Sequence, residues 1–127
     1  MKKCSSFLGL GFALQLCFAS AYADDQHHAA TINRQLLLKQ TVTLPSNQID
    51  AKVFRVQFPQ GYKTPAHTHD GPGPRYVVKG KLRVVDGGNS QVFSAGQIFW
   101  ETGELMTVEN IGQGEAEIII FEMAPLK

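Results

Sequence analysis

The chain predicts an all-β fold, a single small antiparallel barrel, on three observations. Short apolar runs recur with polar residues alternating between them, the two-residue period of a half-buried strand. Glycine-rich turns separate the runs at intervals of roughly 8–12 residues, the spacing of sandwiches and barrels. No stretch of useful length places apolar residues at helical spacing, which removes architectures that join parallel strands through helices.

Residues 1–23 read as a secretory signal peptide. Met1-Lys2-Lys3 supplies positive charge, Phe7 to Ala19 is almost wholly apolar, and Ala21-Tyr22-Ala23 is a small-residue cleavage site. The apolar stretch is shorter than the roughly 20 residues of a membrane span. Export is the expectation, most simply to a bacterial periplasm, with the extracellular medium as the other destination. Cleavage after Ala23 leaves 104 of the 127 residues, enough for one domain. Cys4 and Cys17 depart with the leader, so no disulfide or thiolate remains and a packed core must hold the fold. Loss of Lys2 and Lys3 takes the formal charge from +1 to −1, which gives nucleic acid no basic field to bind. No second long apolar run or basic amphipathic helix remains to hold a membrane.

Residues 24–40 read as an N-terminal extension and 41–127 as the barrel. Asp24 to Ala30 is a polar tail carrying His27 and His28. Ile32 to Lys39 reads either as a strand or as a short helix on the domain edge. Thr41 to Leu44 predicts a short strand stopped by Pro45. Ala51 to Phe58 alternates, with Phe54, Val56 and Phe58 on one face. Arg75 to Asp86 predicts two strands, or one bent strand, divided at Gly80. Asp86-Gly87-Gly88-Asn89 is a hairpin signal. Strands follow at Gln91 to Ser94, Gln97 to Trp100, Glu104 to Asn110 and Glu115 to Met123. The last contains Ile118 to Phe121, an apolar run expected where both faces are covered.

Gly61-Tyr62-Lys63-Thr64-Pro65-Ala66-His67-Thr68-His69 carries the clearest chemistry. Two histidines at i and i+2 in an extended segment face the same way, and neutral imidazole is the commonest protein ligand for transition metals. Together with Gly80 these residues resemble the cupin superfamily, whose first motif reads G-x5-H-x-H-x3,4-E-x6-G. Gly96, Gly103 and Asn110 match part of the second motif, G-x5-P-x-G-x2-H-x3-N, with the gap between the two glycines one residue short. The resemblance spans about Val42 to Pro125 and implies a cupin-like double-stranded β-helix. It also implies one divalent metal held by two histidines, a glutamate and a third histidine. Here the glutamate position falls on Gly73 or Pro74, and the third histidine position on Met106.

Several routes to a populated site stay open. Glu101 or Glu104 could swing inward and restore a carboxylate, although both read first as solvated turn residues. Met106 could ligate, which would favour Cu(I); as a strand methionine it also reads as core. The site could equally be metal-free, with His67 and His69 acting as hydrogen-bond donors or bases. Copper, iron, manganese, nickel and zinc are not distinguished. Alternation from position 73 turns Arg75 inward, but Pro72 and Pro74 can shift that parity, and outward exposure is the expectation. An inward Arg75 would make the barrel a binder of small anions. Tyr76 and Trp100 are candidates for the ligand wall, together with Phe54, Phe58 and Phe99.

The leading expectation is an exported cupin that binds a metal or small ligand with little catalysis. The alternative is a metal-dependent oxygenase, isomerase or decarboxylase acting on a small organic substrate. A homodimer through the Ile118 to Phe121 strand is the remaining expectation for partners.

Overall fold

A computed structural model describes residues 32–44 and 46–126. The expected leader, His27 and His28 lie outside the described residues. Seven strands follow one another: β1 (Ile49–Phe58), β2 (Gly73–Lys79), β3 (Lys81–Asp86), β4 (Asn89–Ser94), β5 (Ile98–Glu101), β6 (Met106–Asn110) and β7 (Ala116–Pro125). Each corresponds to a run read from alternation, with ends that coincide or shift by one or two residues. Ile32 to Lys39 is neither strand nor helix, and Thr41 to Leu44 forms no strand, because these residues meet no ladder partner.

The strands make two antiparallel sheets, ordered β1-β7-β2-β5 and β4-β3-β6. The histidine segment runs along the free edge of β6 through isolated bridges, Lys63 to Glu109 and His67 to Met106. The sheets enclose one core containing Phe58, Val77, Leu82, Val84, Phe99 and Ile118. The inner face of β7 carries Ala116, Ile118, Ile120, Glu122 and Ala124, all buried. Its outer face is less covered than the apolar run predicts: Phe121 is 42% exposed and pairs with Val53, which is 61% exposed.

Two glycines fix the corner that aims β2. Gly80 separates β2 from β3 at φ +86°, and a β-carbon there would lie 2.6 Å from that of Ala116. Only glycine combines that dihedral with that approach. Gly73 opens β2 against β7, and a β-carbon there would run into the carbonyl of Phe121. The glutamate that the first motif would place at 73 therefore has no room in this chain.

Candidate functional site

Strand alternation decides which side chains share the interior. His67 and His69 project from the bridged segment, Arg75 from β2, Glu101 from β5 and Met106 from β6. All five line one cavity of about 110 Å³ between the sheets. Apart from Thr64, its remaining wall is apolar, formed by Val56, Phe58, Phe99, Val108, Ile118 and Ile120.

Arg75 corrects its expected outward orientation: it is 1% exposed. Pro74 leaves the parity intact because it lies at the start of β2, before the ladder to β7 begins at Arg75. Glu101 corrects the expectation of a solvated turn residue, being also 1% exposed. It stands directly across the β2–β5 ladder from Gly73. Facing residues of an antiparallel pair share a face, so the carboxylate excluded from position 73 is supplied from the opposite strand. Glu104 stays on an exposed turn against Gly87, outside the site. Tyr76 and Trp100 lie on the outer face, where Tyr76 pairs with Ile98 and Trp100 with Pro74. Neither lines the cavity; Trp100 instead borders a groove with Leu36 and Leu38. Of the expected aromatic wall, Phe58 and Phe99 face inward.

Arg75 Nε donates to Glu101 Oε2 at 2.7 Å, and Nη1 donates to the carbonyls of Phe121 and Pro74. Nη2 lies 2.5 Å from the same carboxylate oxygen but is too poorly directed to count as a hydrogen bond. Two buried atoms are thus left without hydrogen-bond partners, Arg75 Nη2 and Glu101 Oε1. Burial raises the pKa of Glu101 and lowers that of Arg75, and their mutual attraction opposes both shifts.

The imidazoles are held by their inner nitrogens. His67 Nδ1 donates to the Pro65 carbonyl at 2.8 Å, and His69 Nδ1 donates to Glu122 Oε2 at 3.2 Å. In the neutral tautomer that these bonds select, the lone pair is on Nε2. The rings meet edge to face with centroids 5.1 Å apart, and His69 Nε2 lies 3.6 Å from Glu101 Oε2. Glu122, 5% exposed, is a site residue that the motifs do not mark. Alternation through Ile118 and Ile120 is the signal that turns it inward. Lys52, 3.5 Å from Glu122 and 3.2 Å from Asp70, balances the charge at the rim and is itself held protonated more firmly by Asp70.

These residues do not fit a ready-made divalent metal centre. The carboxylate is engaged by a guanidinium, the third imidazole is a thioether, and the guanidinium would repel a cation bound beside it. Among the described residues, no three His, Cys, Asp or Glu side chains are placed to hold one metal ion.

A predicted oxalate decarboxylase from Thermotoga maritima is similar in structure, with TM-score 0.50 and 25% identity over 57% of this chain and 67% of that one. An oxalate oxidase in complex with the substrate analogue glycolate gives TM-score 0.51 and 30% identity over 57% of this chain; the match spans 42% of the oxidase. The cupin domain of Schizosaccharomyces pombe Cnp3 shares the fold at 15% identity, with TM-score 0.52 over 68% of this chain and 70% of that one. A search of the curated proteins finds no significant match. Residues 54–122, more than half of the chain, match the cupin domain family. With the double sheet and the inward histidine pair already in place, that match makes the chain a member of the cupin family.

Proposed function

We propose that this cupin binds a small carboxyl- or hydroxyl-bearing molecule inside its barrel without a resident divalent metal. The observation that carries the reading is the pair of unpartnered buried atoms, Arg75 Nη2 and Glu101 Oε1, at the polar end of an apolar cavity. Leaving a buried acceptor such as Glu101 Oε1 without a hydrogen bond costs about 1–3 kcal/mol, while Arg75 Nη2 keeps its ion-pair contact with Glu101 Oε2 but lacks a well-directed acceptor. A ligand that satisfies both recovers that cost on binding.

The donor set defines what fits. Arg75 Nη2 donates to a carbonyl or carboxylate oxygen of the ligand, while Glu101 Oε1 and the Nε2 atoms of His67 and His69 accept from its hydroxyl groups. Phe58, Phe99 and Ile118 enclose the carbon skeleton. Arg75 and Glu101 are neutral as a pair, so recognition rests on directed hydrogen bonds rather than on a net field. A short hydroxy acid offers both kinds of group within a small volume. The similar structures named for oxalate chemistry, one of them holding glycolate, support this size class. The leader read at residues 1–23 supports an exported setting for this binding.

Calorimetric titration of the chelator-treated protein with glycolate tests the reading. One-site binding that disappears in Arg75→Gln supports it. Equal affinity of wild type and variant counts against it.

A metal-dependent enzyme is the second reading, favoured by the anchored Nδ1 atoms, since metal-ligating imidazoles are commonly fixed this way. In that case the ion would act as a Lewis acid or activate water. Near-stoichiometric metal in the purified protein, lost in a His67→Ala/His69→Ala variant, would move the weight to it.

A further inference from the structure

We infer that Arg75 is the residue that keeps divalent ions out of this barrel, and that His67, His69 and Glu101 form a latent metal site behind it. The inference rests on the metal-independent reading above. Its starting point is a single oxygen. Glu101 Oε2 lies 3.6 Å from His69 Nε2, and the same atom receives both Arg75 Nε and the close approach of Nη2.

Zinc holds imidazole nitrogen and carboxylate oxygen at about 2.0–2.2 Å, so neighbouring ligands on a tetrahedral ion stand about 3.3–3.6 Å apart. His69 and Glu101 already have that separation. Glu122 holds the His69 ring with Nε2 toward the carboxylate, and the Pro65 carbonyl fixes the tautomer of His67. The guanidinium is what keeps Glu101 from meeting the two imidazoles on one ion, the arrangement that no three such side chains have reached among the described residues. It neutralises the carboxylate, occupies the oxygen facing the imidazole, and adds a fixed positive charge within contact distance. The exclusion of a side chain at Gly73 leaves Glu101 as the one acidic group lining the cavity among the described residues, so capturing Glu101 disables the site.

Removal of one positive charge should therefore create metal affinity. Zn²⁺ is titrated against a chromophoric competing chelator into the full chain carrying Arg75→Met, Arg75→Gln, Arg75→Gln/Glu101→Gln, or no substitution. Far-UV circular dichroism confirms the strand fold of each. Arg75→Gln guards against loss of fold in Arg75→Met, because its uncharged amide nitrogen stands where Arg75 Nε does and can still donate to Glu101 Oε2. His27 and His28 are common to all four proteins, so their contribution cancels.

The expected result is one Zn²⁺ site at least ten-fold tighter in the Arg75 variants than in the wild type, returning to the wild-type level when Glu101→Gln is added. No gain in a folded Arg75 variant overturns the inference and leaves glycolate binding by the wild type unaffected. Tight, one-to-one Zn²⁺ binding by the wild type itself overturns the inference and the metal-independent reading together.

Discussion

Asn110 and the Arg75–Glu101 pair are equally buried, each residue 1% exposed, yet they settle the cost of burial in opposite ways. Asn110 Nδ2 donates to the carbonyls of Phe58, Pro59 and Gly114, and its Oδ1 accepts from Gly112 N–H. Every polar atom of that side chain has a partner, and together they pin the ends of β1 and β6 to the turn before β7. The Arg75–Glu101 pair spans β2 and β5 and leaves a donor and an acceptor unpaired toward a cavity. A buried polar group with every bond made holds structure together. One with bonds outstanding, facing a space, is arranged for something that arrives.

The largest expected effect comes from breaking the pair. Glu101→Ala strands a guanidinium in the core and should cost about 3–5 kcal/mol in urea or guanidinium unfolding. Asn110→Ala should cost about 2–3 kcal/mol, since it leaves backbone groups unpaired without stranding a charge.

A double substitution sharpens the contrast. Arg75→Met/Glu101→Leu removes both charges and should unfold within about 1 kcal/mol of the wild type, or at higher denaturant, while glycolate binding is lost. No comparable replacement rescues Asn110, whose partners are backbone. The pH dependence carries a definite sign. Burial places the folded pKa of Glu101 above its ordinary value of 4.5. Its contribution is therefore fully present below that ordinary value and is lost as pH rises through the folded pKa. The stability of the double variant relative to the wild type should accordingly increase with pH across that interval, as read from unfolding midpoints at several pH values.

The smallest effect is expected on the outer face. Trp100→Ala should leave glycolate affinity unchanged in calorimetry, because the indole faces the groove with Leu36 and not the cavity.

Much of this was legible along the chain. Alternation located the strands, and Gly80 and the Gly87-Gly88 hairpin located their divisions. The spacing of Gly61, His67, His69 and Gly80 marked the two histidines that line the candidate cavity. The parts that escaped are those set by register between strands. No local pattern reveals that position 101 lies across from Gly73, so Glu101 reads as a turn residue until β2 and β5 are paired. Arg75 did follow simple alternation; the neighbouring prolines suggested a shift that the start of the strand absorbs. Tyr76 and Trp100 were drawn to the site by aromatic character, and their parity with Arg75 and Glu101 placed them on the opposite face.

The most direct test follows the Arg75 Nε–H signal by nitrogen-edited NMR while glycolate is added to chelator-treated protein. Held by Glu101 and away from solvent, this group should give a slowly exchanging resonance. The account predicts that this resonance shifts saturably with glycolate, in the absence of metal, alongside the ring signals of His67 and His69. A spectrum that stays unmoved until a divalent ion is supplied would contradict the account.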